Sequence, residues 1–306
     1  MPPWLTRALV DHPIQGEPTM RRRELIKAGL LGVTAWPLLP LSSAVAADAP
    51  DAFAALEKGH GGRLGVAVLD TGSGKRLLHR ADERFLLCST GKLLAVAAVL
   101  ARVDRGEERL DRRIVFRRED VLDWAPVTRL RPGPPGMTIE ELCQAAMIVS
   151  DNTAMNLLLA SLGGPATLTR FVHGLGDPLT RFDRTEPSLN RPGPGGFEDT
   201  TTPLAMLDDM RRVLLGDVLS PASRERLLDW LRHNTTGTTQ LRAGLPAGWT
   251  AGDKTGASQT QNNDVAIVWP PGRAPVLIAA YYESSAGAGD ARKSVLAQVG
   301  ALAASV

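Results

Sequence analysis

Phe85-Leu86-Leu87-Cys88-Ser89-Thr90-Gly91-Lys92-Leu93-Leu94 is the stretch around which this 306-residue chain is organised. Small residues give way at once to an apolar, Ala-rich run from Leu93 to Leu100. That predicts a helix opening near Ser89, with a Ser or Thr side chain capping its orphan N–H groups. Residues three apart share a helix face, so the Lys92 amine reaches the Ser89 hydroxyl. A neighbouring amine of depressed pKa can take the proton of an otherwise weak serine nucleophile. The helix N-terminus favours the oxyanion that forms when such a serine attacks a carbonyl. Alone, S-x-x-K is a short motif that also describes a capped helix with a surface lysine one turn later. The other parts must come from elsewhere in the chain.

Working outward, Asp51–Glu57 predicts a first helix. Leu64–Asp70 reads as a strand, Thr71-Gly72-Ser73-Gly74 as a turn, and Lys75–His79 as the second strand of a hairpin. The Walker spacing is absent around those glycines, so they mark a hairpin turn rather than a phosphate loop. From Ser89 to about Leu231 the periodicity is helical, broken by Gly/Pro-rich segments such as Arg131–Gly136. Thr138-Ile139-Glu140-Glu141 opens a helix in capping-box form, Asn152–Leu162 is a second apolar helix, and Thr202-Pro203 and Ser220-Pro221 introduce two more. Trp249–Lys254, Asp264–Trp269 and Val276–Tyr282 return to strand character, and Asp290–Ala304 to helix. The fold class is therefore α/β (α+β): an antiparallel sheet from the N- and C-terminal parts, flanked by helices, with an all-helical lobe inserted. The sheet lobe spans about 47–87 and 235–306 and the helical lobe about 88–234, with a ligand cleft between them.

Residues 1–46 read differently. Arg21-Arg22-Arg23-Glu24-Leu25-Ile26-Lys27 precedes a short apolar run and the small-residue exit Ser42–Ala47. This is the pattern of a secretory signal, cleaved near Ala46 at Ala44-Val45-Ala46. The paired arginines resemble a twin-arginine export signal, which makes the twin-arginine machinery a partner and the periplasm or exterior the destination. The apolar run is shorter than the ~20 residues of a membrane span. Translation starts at Met1 or at Met20, directly before the arginines.

The net charge of +2 resides in that leader, where five Lys/Arg face three Asp/Glu, so the remainder is neutral. This gives no support to a nucleic-acid partner. Five scattered histidines (12, 60, 79, 173, 233) lack metal-site spacing, so neither a metal nor another cofactor is expected. Cys88 and Cys143 read as two buried free thiols, and the protein as a monomer.

Ser150-Asp151-Asn152 falls at a junction between two apolar helices, where each residue type suits an N-cap. A hydroxyl and a carboxamide there could equally present a proton donor and an amide clamp. Lys254-Thr255-Gly256 ends a strand and is followed by Ala257. It reads either as a strand with a glycine bulge or as a carboxylate receptor, with substrate approaching the bare backbone and the next N–H entering an oxyanion hole.

S-x-x-K, then S-D-N some sixty residues on, then K-T-G about a hundred beyond, is far more specific than any part. Along essentially the whole chain after the leader, the sequence resembles the class A serine β-lactamases, whose fold is shared with the penicillin-recognising transpeptidases. The resemblance implies hydrolysis of the β-lactam ring through a serine acyl-enzyme, conferring antibiotic resistance. It implies Ser89 as nucleophile, the backbone N–H groups of Ser89 and Ala257 as oxyanion hole, and Ser150 as the proton donor to the leaving nitrogen. Either Lys92 or Glu186, acting through water, is then the acylation base. Lys254, Thr255 and Gly256 receive the substrate carboxylate, Asn152 bonds the side-chain amide, and Trp124 matches the aromatic wall at the cleft mouth. In Arg181-Phe182-Asp183-Arg184-Thr185-Glu186-Pro187-Ser188-Leu189-Asn190 the resemblance assigns Glu186 as the deacylating base and Asn190 as holder of its water. Arg184 and Asp199 match the pair that closes the neck of this Ω-shaped loop.

The match departs in places. No arginine follows K-T-G, where Ser258-Gln259-Thr260-Gln261-Asn262-Asn263-Asp264 is one residue short of the common form. Gln240 occupies the second usual arginine position, with Arg242 nearby, which leaves Arg292 or Lys293 as the auxiliary cation. Ser258 and Val96 stand where two subgroups carry the partners of Cys88 and Cys143, so neither family disulfide can form. The competing readings are a D-alanyl-D-alanine peptidase (a penicillin-binding protein) and a non-catalytic β-lactam sensor. Both lack a use for Glu186 and Asn190.

Overall fold

The computed structural model describes residues 49–306 apart from residue 288. The expected leader and its expected cleavage site lie outside the described residues. Among these residues no helix is long and apolar enough to cross a membrane.

In chain order the elements are α1 (Ala49–His60), β1 (Arg63–Asp70), β2 (Arg76–His79), β3 (Phe85–Leu86), α2 (Gly91–Asp104), β4 (Arg113–Ile114), β5 (Met137–Thr138), α3 (Ile139–Ile148), α4 (Asn152–Leu162), α5 (Pro165–Gly174), β6 (Thr200–Thr201), α6 (Pro203–Leu215), α7 (Pro221–Arg232), the single turn α8 (Leu241–Gly244), β7 (Thr250–Ala257), β8 (Gln261–Trp269), β9 (Val276–Glu283) and α9 (Gly289–Ala303). Five strands form one antiparallel sheet in the order β2-β1-β9-β8-β7, so the first strands of the chain pair directly with its last. β3 pairs with β6 and β4 with β5 as short ribbons.

The sheet is covered on both faces, which is why its strands read as continuous apolar runs rather than alternating ones. Leu64, Val66 and Val68 of β1 join Ile278 and Ala280 of β9 in one core beneath α1 and α9, with Phe53, Val295 and Val299. Ala67, Leu69, Leu277, Ala279 and Tyr281 face the other way, into a larger core shared with α2, α3, α4, α6 and α7. Every residue of α2 from Gly91 to Ala101 is buried. A helix apolar all round belongs at the centre of a domain, and α2 carries Lys92 there.

Several sequence expectations are corrected. The chain does not enter α2 through a side-chain cap: Cys88–Thr90 is a 3-10 turn, α2 starts at Gly91, and Thr90 Oγ1 donates to Leu87 O at 2.6 Å. β7 does not end at Lys254 but continues through Thr255 and Gly256 to Ala257. Its register with β8 is unbroken, pairing Gly256 with Asn263 and Ala257 with Asn262, so Gly256 marks no bulge. β8 accordingly begins at Gln261, three residues earlier than the apolar pattern indicates.

Candidate active site

Ser89 lies in the 3-10 turn, one turn before Lys92, and Lys92 Nζ sits 2.7 Å from Ser89 Oγ. The lysine is fully buried and its ammonium is enclosed by oxygens. Asn152 Oδ1 accepts at 2.6 Å, Ser150 O at 3.1 Å and Ser150 Oγ at 3.3 Å, and Glu186 Oε1 lies 2.8 Å away. Paired and hydrogen-bonded in this way, a buried charge is tolerated.

Ser150 links this cluster to a second lysine, its Oγ accepting from Lys254 Nζ at 3.0 Å. Lys254 is also wholly buried, and desolvation, followed by the repulsion of Lys92, lowers its pKa to about 7. Asp151, between Ser150 and Asn152, points away from the cleft. Its buried carboxylate caps α4 through Ala154 N (2.9 Å) and accepts from Val127 N (3.0 Å), Thr128 N (2.9 Å) and Thr128 Oγ1 (2.8 Å). That ties down the loop bearing Trp124, whose ring is 55% exposed and whose Nε1 donates to Val149 O at 3.1 Å.

Glu186 arrives on the long loop between α5 and β6. Its Oε1 is 3.5 Å from Ser89 Oγ, and Asn190 Nδ2 donates to its Oε2 at 2.5 Å. At the base of that loop Arg184 Nε donates to Asp199 Oδ2 at 2.6 Å, and Asp199 Oδ1 accepts from the backbone N–H of Asp183 (2.8 Å) and Arg184 (3.0 Å). These two residues are placed to hold the loop and not to line the cleft.

The cleft has a volume of about 510 Å³, and its lining includes Ser89, Trp124, Ser150, Asn152, Asn190, Thr255, Gly256 and Ala257. Lys92, Glu186 and Lys254 sit behind that lining. Gly256 serves a purpose the sequence did not indicate. A Cβ there would meet Cys88 Cβ, Leu87 O and Ser89 N, each at 3.1 Å, so the missing side chain lets β7 press against the nucleophile turn. Cys88 and Cys143 are free and buried, and burial pushes the Cys88 thiol up to about 12, where it is inert.

The profile of the β-lactamase enzyme family matches residues 49–306. The chain is 44% identical over 275 residues to β-lactamase OXY-1 of Klebsiella oxytoca, covering 89% of this chain and 94% of that one. It is 49% identical over 253 residues to β-lactamase L2 of Stenotrophomonas maltophilia, covering 82% and 83%. Among solved structures, an ancestral (GNCA) class A β-lactamase superposes with TM-score 0.81 at 56% identity, over 83% of this chain and 98% of that one. The chain belongs to the class A β-lactamase family.

Within this class A framework, three residues of the site escaped the sequence reading. Asn156 of α4 brackets Glu186, donating from Nδ2 to Glu186 O (3.0 Å) and accepting Glu186 N at Oδ1 (2.9 Å). Its signal was available: Asn152 and Asn156 stand four apart on a mostly apolar helix, hence on one face. Thr236, whose Oγ1 lies 2.5 Å from Thr255 Oγ1, comes from a threonine-rich loop with no such pattern. Asn262 enters the lining because β8 starts early. The arginine candidates also sort themselves. Arg242 is drawn off the cleft onto the buried Asp253, Gln240 and Lys293 join the lining, and Arg292 is buried beneath α9's first turn.

Proposed function

We propose that this site hydrolyses the β-lactam ring through an acyl-enzyme on Ser89, as its class A membership implies, and that it thereby confers antibiotic resistance. The observation that carries this reading is Glu186. A carboxylate lies 2.8 Å from Lys92 Nζ and 3.5 Å from Ser89 Oγ, with an amide gripping its far oxygen. A serine that only acylates needs no such group; fast release of the acyl chain needs a base.

In acylation, Ser89 Oγ attacks the lactam carbonyl while its proton passes to the Lys92–Glu186 pair. The two groups are in contact and act as one acid–base unit rather than two independent ones. The backbone N–H groups of Ser89 and Ala257 receive the oxyanion. Ser150, hydrogen-bonded to both lysines, delivers the proton to the departing nitrogen. Lys254 and Thr255 receive the substrate carboxylate beside Gly256, and Trp124 forms the outer wall. Asn152 spends its carbonyl oxygen on Lys92, which leaves its N–H₂ group for the substrate's side-chain amide. In deacylation, Glu186 takes a proton from water, whose oxygen attacks the ester; Asn190 Oδ1, buried and without a partner among the described residues, is a ready second acceptor.

The test is turnover of a chromogenic cephalosporin by the wild type and by Glu186→Gln, with mass spectrometry of the intact protein. Steady wild-type turnover and an accumulating acyl-enzyme in the variant are expected. A wild type that acylates once and stops would instead be a penicillin-binding peptidase or a sensor.

Residues 1–46 fit a twin-arginine leader, residues 47–306 one exported monomeric domain of two lobes, and its compartment the periplasm or the exterior. Replacing Arg21, Arg22 and Arg23 with lysine should strand the precursor in the cytoplasm. Export of that variant at the wild-type rate would remove the twin-arginine reading, and size-exclusion chromatography reads the monomer.

A further inference from the structure

Gly256, Asn263 and Tyr281 stand opposite one another on β7, β8 and β9, so they form one row across a single face of the sheet. That row meets the turn carrying Ser89. Gly256 leaves the space into which the turn presses. The fully buried Asn263 donates from Nδ2 to Leu86 O at 2.8 Å and to Leu87 O at 3.4 Å. The hydroxyl of Tyr281, also fully buried, lies 3.3 Å from Thr90 Oγ1.

Donor counting gives each contact its direction. Leu86 and Leu87 offer only carbonyl oxygens at these contacts, so the N–H₂ end of Asn263 faces them. Thr90 spends its hydroxyl proton on Leu87 O at 2.6 Å, which makes Tyr281 the donor to Thr90. Burial pushes the Tyr281 phenol up, so it keeps that proton. A chain of bonds thus runs from Tyr281 through Thr90 to Leu87 O, and Asn263 reaches the same oxygen. Leu87 directly precedes Cys88, whose φ of 47° is left-handed. Backbone strain of this kind persists where its surroundings over-determine it. Asn263 Oδ1 is buried without a partner among the described residues, so this carboxamide stands there at a cost and serves through its donor end.

We propose that Asn263 and Tyr281 are positioning residues for the acyl transfer. With Gly256 they form a seat that holds the Ser89 turn at a fixed distance from Ala257, and so set the spacing of the two N–H groups that receive the oxyanion. The inference rests on the β-lactamase reading above. Neither side chain belongs to the cleft lining, so both act through the turn.

The experiment compares wild type with Asn263→Ala, Asn263→Leu and Tyr281→Phe. The leucine and phenylalanine keep the side-chain shape and remove the donor; the alanine removes the donor without crowding the turn. On a chromogenic cephalosporin both Asn263 variants should lose about thirtyfold in kcat/KM and Tyr281→Phe about threefold, short of the hundredfold or more that loss of an oxyanion donor costs. Affinity for phenylboronic acid should fall by the same factor in each variant, because its tetrahedral adduct on Ser89 Oγ places an oxygen where the oxyanion sits. In a Ser89→Ala background, binding of the intact cephalosporin should change less than about twofold, since the ground-state contacts of Asn152, Lys254 and Thr255 do not ride on the turn. A purely structural role would lower the melting temperature and leave boronate affinity alone, as the core truncation Val299→Ala should. Unchanged kcat/KM in Asn263→Ala, or equal losses in boronate affinity and ground-state binding, would overturn the seat. If the Asn263 variants do not fold, Tyr281→Phe decides, and wild-type kinetics in it would remove the proposal. A wild type that turns over no cephalosporin would instead remove the hydrolase reading beneath it.

Discussion

Asn156 grips Glu186 by both polar edges of its backbone, accepting from its N–H at 2.9 Å and donating to its carbonyl at 3.0 Å. A loop residue is thereby fixed to a buried helix, and the carboxylate is held where Lys92 and Ser89 can use it. Asn156→Ala removes both bonds. It should lower kcat about a hundredfold, the order expected when a catalytic group shifts by an ångström. Mass spectrometry should find the acyl-enzyme accumulating in that variant. Normal deacylation would show that Asn156 is not what positions Glu186.

Asp199 closes the same loop from below, fully buried beneath Arg184. Arg184 keeps contact with solvent, so removing the Asp199 carboxylate chiefly leaves the backbone N–H groups of Asp183 and Arg184 unpaired, at about 1–3 kcal/mol. Asp199→Ala should therefore lose stability of that order in urea denaturation. Asp199→Asn keeps an acceptor for the two backbone N–H groups and should lose clearly less. Equal losses in the two variants would show that the charge, absent from both, and not the accepted N–H bonds, is the part that matters.

Gly256 allows β7 to abut the turn carrying Ser89. Gly256→Ala must displace Cys88, Leu87 or the backbone N–H of Ser89 by a few tenths of an ångström. The result should be a loss of about tenfold or more in kcat with little change in melting temperature, because catalysis is more sensitive to small misplacement than packing is. Unaltered kinetics would mean that the turn and the strand are free to separate.

Lys254 has its pKa lowered to about 7, first by burial and then by Lys92. The free enzyme therefore loses this cation as the pH rises through 7, and kcat/KM for a carboxylate-bearing substrate should fall on that limb. Lys254→Arg, which stays charged, should carry the limb to higher pH. Identical pH profiles would detach the limb from Lys254.

Asp209 on α6 is fully buried, and burial, then the neighbouring Asp177, raises its pKa to about 9. The folded state thus retains a proton that the unfolded chain releases near 3.8, and stability drains away as the pH rises from there through about 9. Asp209→Asn needs no such proton. Its stability relative to wild type should climb between pH 5 and pH 9 in urea titrations; a constant difference would show that the carboxyl is already ionised.

Much of this architecture was legible in the residues. The sheet could be drawn from the two chain ends because Leu64–Asp70 and Val276–Tyr282 are apolar without alternation, as strands covered on both faces must be. Ser89, Lys92, Ser150, Asn152, Glu186, Asn190 and Lys254 fall together because motifs at helix starts and strand ends bring their side chains to one cleft. Backbone geometry was not legible. Cys88 (φ 47°) and Ser150 (φ 59°) both adopt the left-handed region that non-glycine residues rarely enter, and nothing in their identities announces it. Nor could sequence separate Arg292 from Lys293. Adjacent residues on a helix face different ways, and only the packing of α9 on β8 shows which one faces the core.

The pairing of β1 with β9 joins Arg63 to Glu283, residues 220 apart in the chain. Contacts of such separation are slow to form, since the loop entropy comes due before any pairing repays it. During synthesis β1 has only the short β2 beside it until the last strands leave the ribosome. Lys254 belongs to those late strands, while Ser89 and Lys92 emerge early. Nascent chains stalled before residue 276 should accordingly stay protease-sensitive and unable to bind a β-lactam, however complete their helices. Catalytic competence is thus a property that the chain acquires only when its own end has been made.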